Sequence, residues 1–200
     1  MKSLAIIIWS LLFFDPVNVT VERWVIEKNS NLCIEGKSNV NNFRCDIVEY
    51  LNHDTIFLYR EVSKAEMPIA TKGGLHININ RFDCHQNHIT ADLKKTLKAK
   101  ENEIMKINLL SLGFIRPNTP SQQVKGHVEI QLAGVSKNVE VDYAVVRNQS
   151  GFMNLIGTKT ILFADFNLTP PSKLAGLVKV EQEIKVRFEL VLRSILTKTS

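Results

Sequence analysis

Residues 178–193 read VKVEQEIKVRFELVLR, and this stretch decides the fold. From Val178 to Leu192 the even positions are apolar, apart from Gln182. The odd positions carry Lys179, Glu181, Glu183, Lys185, Arg187, Glu189 and Arg193, with Val191 the exception. Successive side chains on a strand point to opposite faces, so this run makes one dry face and one wet face. A helix would spread both sets around its circumference and turn charges toward the core.

The same period recurs upstream. Val128, Ile130 and Leu132 alternate with His127, Glu129 and Gln131, and Ala133-Gly134-Val135-Ser136 supplies a turn. Val139, Val141, Tyr143 and Val145 form the next apolar row, so residues 124–146 read as a hairpin. One wet face argues for antiparallel pairing, because parallel sheets are usually covered on both faces. Further strands are expected at Trp24–Ile26, Leu32–Gly36, Asn42–Val48, Thr55–Arg60, Leu75–Asn80, Met105–Ser111 and Asn154–Leu162. Together they describe a mainly β domain, a closed or nearly closed antiparallel sheet. One short amphipathic helix is visible after Asn87, where Ile89, Leu93 and Leu97 share a face. It either closes one end of a barrel or packs on a sandwich.

The rest of the chain bounds the function. Its 200 residues suit one domain with a real core, and 44% hydrophobic with 22% charged residues excludes a disordered or multi-span membrane chain. The net charge of +5 is spread over both halves, which argues against a nucleic-acid footprint. Residues 4–14, LAIIIWSLLFF, have the length of a secretory h-region and fall short of the roughly 20 apolar residues of a spanning helix. Residues 1–20 are therefore read as a secretory signal and 21–200 as the mature domain, with no stable transmembrane insertion after cleavage.

Candidate chemistry is sparse. Cys84-His85-x-x-His88 offers sulfur and imidazole donors, and Cys33 or Cys84 with His88 offers a nucleophile and a base. Asp142 and Asp165 are available as carboxylates. Against these stand the missing Gly-x-Ser-x-Gly elbow, His-Glu-x-x-His site and phosphate-cradling glycine motif. Neither an enzyme, a metal nor a cofactor is expected. Alternation predicts burial and leaves two interiors open: side chains that fill one another's gaps, or a cavity of the kind an eight-stranded barrel can hold.

Four segments carry a family resemblance. They are WVIEKNSNLCIEGKSNVNNFRC (24–45), FDCHQNHITADLKKTLKAKENEIMKINLLSL (82–112), VKGHVEIQLAGVSKNVEVDYAV (124–145) and GTKTILFADFNLTPPSKLAGLVKVEQEIKVRFELVL (157–192). In order and spacing they resemble the YceI-like family of secreted lipid-binding barrels over nearly the whole mature chain. The resemblance implies a lipocalin-like barrel whose elongated cavity takes a polyisoprenoid or related amphiphilic lipid. It also implies a periplasmic or secreted location, with storage or transport as the role. The expected tail contacts are the last-strand row Ile184, Val186, Phe188 and Leu190. With them go Trp24 and Ile26, Met105, Ile107 and Leu109, Tyr143 and Val145, and Phe163 and Phe166. Gln182 is open to two roles, bonding a head group or satisfying a backbone defect. Cys45 and Cys84 match cysteine positions found together in some members, which implies a disulfide and leaves Cys33 free. The alternatives are a packed barrel with a structural or protein-binding role and, further off, a cysteine–histidine enzyme. The oligomeric state is left open, since a closed barrel satisfies its own edges.

Overall fold

The computed structural model describes residues 19–61, 67–148 and 151–196. The apolar run at 4–14 lies outside them. Among the described residues twelve strands and one α-helix follow in order. They are β1 (Val19–Ile26), β2 (Asn31–Ser38), β3 (Asn42–Ile47), β4 (Thr55–Glu61), β5 (Ile69–Asn78), β6 (Phe82–Asp83) and α1 (Asn87–Thr96). Then come β7 (Ile104–Leu112), β8 (Ser121–Leu132), β9 (Val135–Arg147), β10 (Phe152–Leu162), β11 (Ser172–Lys173) and β12 (Val178–Leu196). The wall runs β1-β4-β5-β7-β8-β9-β10-β12 and closes from β12 back onto β1, an antiparallel barrel of eight strands. Closure removes the exposed edges that an open sheet presents.

β12 is long enough to serve two neighbours on one side. Its last third pairs with β1, Ile26 opposite Leu192 and Trp24 opposite Ser194. Its first half pairs with β2, where Phe188 faces Leu32 and Val186 faces Ile34. Between the two ladders the chain turns at residues 27–30. There the Glu27 N–H donates to the Val191 carbonyl at 2.8 Å, and the buried Ser30 hydroxyl accepts from the Val191 N–H at 3.0 Å. Both backbone groups at the join are thereby satisfied. β3 and β6 extend this side wall beyond β2.

The apolar alternation of 178–193 faces inward, with one departure. Between Val180 and Ile184 the register shifts: four steps along β12 oppose two along β2. A bulge of this kind breaks the strict in–out count, and Gln182 is exposed instead of facing the interior.

One end of the barrel is solidly packed. Trp24, Ile26, Leu58, Leu112 and Leu192 are each at most 1% exposed. The Trp24 indole N–H donates to Glu22 Oε1 at 2.7 Å, which also accepts from the Ser194 hydroxyl. Glu22 further pairs with Arg60, placing a polar cluster beyond the tryptophan on the same face of β1. At the other end lies α1. Leu93 and Leu97 are buried, and Asp92 pairs with Lys173 of β11 at 2.7 Å. A disulfide between Cys45 of β3 and Cys84 ties this region together across 39 residues. Closing a loop of that length removes denatured-state entropy equivalent to about 4 kcal/mol in the chain-entropy account.

Candidate ligand cavity

Between the packed end and α1 the bore opens into a narrow cavity of about 70 Å3. On that measure one water needs roughly 10–15 Å3, so this is a real void and a slender one. Twenty residues line it, eighteen of them apolar, and the wall facing the void is almost entirely hydrocarbon, at Tyr143 and Lys159 as well.

Inward glycines keep it open. A Cβ built on Gly157 of β10 would stand 2.1 Å from Cζ of Phe188, its register partner on β12. A Cβ on Gly126 of β8 would lie 2.8 Å from Cε2 of Tyr143. Both distances are below contact, so each ring occupies the recess that a missing side chain leaves. The two largest aromatics of this half thus lie against the wall. Their rings meet edge to face at 5.5 Å between centroids, a favoured aromatic geometry. Burial pushes the Tyr143 phenol above its ordinary range, and its hydroxyl has no hydrogen-bond partner among the described residues.

The residues picked from sequence separate by depth along the barrel. Ile184, Val186, Phe188 and Leu190 line the cavity, as do Met105, Ile107, Leu109 and Tyr143. Trp24 and Ile26 belong to the packed end instead, while Val145, opposite the lining residue Leu155, is buried beside the cavity without lining it. Phe163 and Phe166 form a 3-10 turn after β10, buried against β9 and β12 and off the cavity wall. Lining residues that sequence reading left out include Ile34, Ile56, Leu75 and Ile161. Lys159 was also missed. It stands in the row Leu155-Gly157-Lys159-Ile161, which otherwise faces the bore, and that parity was its available signal.

The structure places each residue singled out for metal or nucleophilic chemistry. Cys84 is held in the disulfide and offers no thiolate to a metal or a substrate. Cys33 is buried, and burial raises its thiol above the ordinary range, the reverse of activation. His88 is exposed, and His85 pairs with Asp46 at 3.1 Å. Asp142 points to solvent, while Asp165 accepts the Leu162 N–H at 3.0 Å and pins the 3-10 turn.

A closed antiparallel barrel with an apolar bore and a short closing helix is a lipocalin-like architecture. A family model described as the YceI-like domain matches residues 55–192, and the chain belongs to that family. No curated protein matches it. Among solved structures, BcnA of Burkholderia cenocepacia superposes with a TM-score of 0.59 at 14% identity, covering 81% of this chain and 95% of that one. A polyisoprenoid-binding domain from Saccharophagus degradans, implicated in plant cell wall breakdown, gives 0.59 at 11% identity, covering 86% and 98%. At these identities the likeness establishes the shared fold.

Proposed function

We propose that this protein binds the hydrocarbon tail of a polyisoprenoid or related amphiphile in the open half of its barrel, as a non-enzymatic store or carrier. The observation that carries this reading is the cavity lined almost wholly by apolar side chains inside an otherwise closed barrel. Each CH2 removed from water contributes about 0.8 kcal/mol before ordering costs, so several isoprene units suffice for substantial affinity. The space of about 70 Å3 is slender for such a tail. Binding therefore widens the bore, by rotation of long flexible side chains such as Met105.

The apolar run at 4–14 and the Cys45–Cys84 bridge support an exported protein in an oxidising compartment, and we place it in the periplasm or outside the cell. No helix among the described residues is long and apolar enough to cross a membrane. The decisive experiment is native extraction followed by lipid mass spectrometry, with rebinding after delipidation. A tightly held polyprenyl compound is expected, and Phe188→Asp should lower its retention by placing a charge in the cavity. Delipidated protein without affinity for any amphiphile would leave the packed-barrel reading in place.

A further inference from the structure

We propose that the α1 end of the barrel docks on an anionic lipid bilayer, with two leucines entering the interface and lysines of α1 contacting the headgroups. Leu174 and Leu177, in the turn between β11 and β12, are 71% and 74% exposed. Val40, on the β2–β3 turn, is 58% exposed. Clustered exposed apolar side chains of this size mark an interaction surface. Leu174, Ala175 and Gly176 have φ of 53°, 52° and 92° in succession. Leucine and alanine avoid that left-handed region, so the turn holds strain while it exposes apolar surface, a combination that folding alone does not reward. Asn39 clamps the two turns together. Its Nδ2 donates to the Leu177 carbonyl at 2.8 Å, its Oδ1 accepts from the Lys179 N–H at 2.9 Å, and its own N–H donates to the Lys179 carbonyl at 3.1 Å. The three apolar side chains are thereby presented on one fixed tip.

Charge selects the occupant. The tip adjoins α1: Val40 and Val178 share a groove with Ile89 and Asp92, and Lys173 bonds Asp92 at 2.7 Å. Lys95 stands three residues on from Asp92, on the same side of the helix, and Lys98 follows where the helix ends. Lys37 and Lys179 flank the tip on β2 and β12. All four lysines are exposed, and none of their ammonium groups has a hydrogen bond or ion pair among the described residues. The acids nearest in sequence do not cancel them. Asp92 is held by Lys173 and Glu35 by Arg187, which leaves the exposed Glu101 and Glu181. A bilayer surface matches both features at once: it offers hydrocarbon beneath the headgroups for isolated leucines and anionic phosphates for solvated lysines. A protein partner would instead have to bring an apolar pocket fitted to the tip. Docked this way, the barrel turns its open half, and not the Trp24 end, toward the bilayer.

Flotation of the exported protein with phosphatidylcholine vesicles, with and without phosphatidylglycerol, tests this. Anionic vesicles should be preferred by about 10-fold or more, less so as salt is raised. Lys95→Gln with Lys98→Gln should weaken anionic-vesicle binding by about 30-fold. Leu174→Asn with Leu177→Asn should weaken it by about 10-fold or more. Asparagine tolerates the left-handed backbone, and thermal unfolding confirms that the variants are folded. Arg23→Gln with Lys72→Gln removes the same charge from β1 and β5, where both residues lie opposite Phe57, and should leave binding within about twofold. Leu177→Trp should shift its emission to the blue on anionic vesicles and be quenched by brominated acyl chains. Undiminished binding in the lysine and leucine variants, with no quenching in Leu177→Trp, overturns the assignment. Self-association of the wild type that the leucine variant abolishes, without vesicle binding, would assign the tip to a second copy of the chain and also overturn it. Docking does not depend on what fills the cavity, so either failure leaves the hydrocarbon reading standing.

Discussion

The two halves of this barrel are built from the same strands with the same in–out alternation, yet one is solid and the other is open. At the solid end Trp24 fills the bore, with Ile26, Leu58 and Leu192 packed around it and essentially no exposure. In the open half the comparable aromatics, Tyr143 and Phe188, are drawn against the wall over Gly126 and Gly157. The difference teaches that a cavity here depends on where large side chains find room, and less on how apolar the inward row is. A tryptophan buried in a close-packed cluster leaves no space there. Rings lying on glycines leave the bore open.

That contrast can be broken by substitution. Trp24→Ala should cost about 3–5 kcal/mol, because a large void opens in close-packed surroundings. Val186→Ala, which only enlarges space already present, should cost about 1 kcal/mol or less on the same reasoning. Urea unfolding of the two variants measures the gap, and equal losses would mean that the halves are packed alike. Next in size is the bridge of the open half. Cys45→Ser should lose about 2–4 kcal/mol of stability. It should also loosen the β3 and α1 region more than the Trp24 end, as read by amide exchange.

Gly157→Ala sharpens the comparison most specifically. The added methyl collides with the Phe188 ring, which must swing into the bore, at a cost of about 1–3 kcal/mol as for other overpacked sites. Its larger effect should be on ligand capacity: geranylgeraniol binding should weaken while the fold persists. Undiminished binding would mean that the ring is not what sets the width. The smallest expected effect is on the alkaline limb of stability. Burial raises the Tyr143 phenol. Burial together with the hydrogen bond to Asp54 raises that of Tyr50. A raised folded-state value means that stability is intact below the ordinary tyrosine range and declines as pH climbs from about 10 toward the folded values. Thermal melts from pH 9 to 11 should show the decline, and a double Tyr50→Phe, Tyr143→Phe variant should flatten it.

Alternation sorts inside from outside, so the strands around Val128, Val141 and Ile184 were legible, and so was the closing helix at Leu93 and Leu97. Depth along the tube is a separate coordinate that period two does not encode. Trp24 and Ile26 therefore looked equivalent to Met105 and Phe188, although they sit at the solid end. Gln182 was misplaced because a bulge interrupts the count at Val180–Ile184. Lys159 is not singled out by its sequence because residues 154–162 lack a clean alternation that would say which parity faces inward. The glycine recesses depend on which residues face one another across neighbouring strands, information that appears only once register is known.

The central claim is that hydrocarbon enters one half of the barrel and not the other. Methyl-labelled protein titrated with geranylgeraniol and followed by NMR tests it directly. The account predicts large shifts at Ile34, Ile107 and Ile184, with Ile26, Leu58 and Leu192 unmoved. Shifts spread evenly over both ends, or no saturable shifts at all, would contradict it.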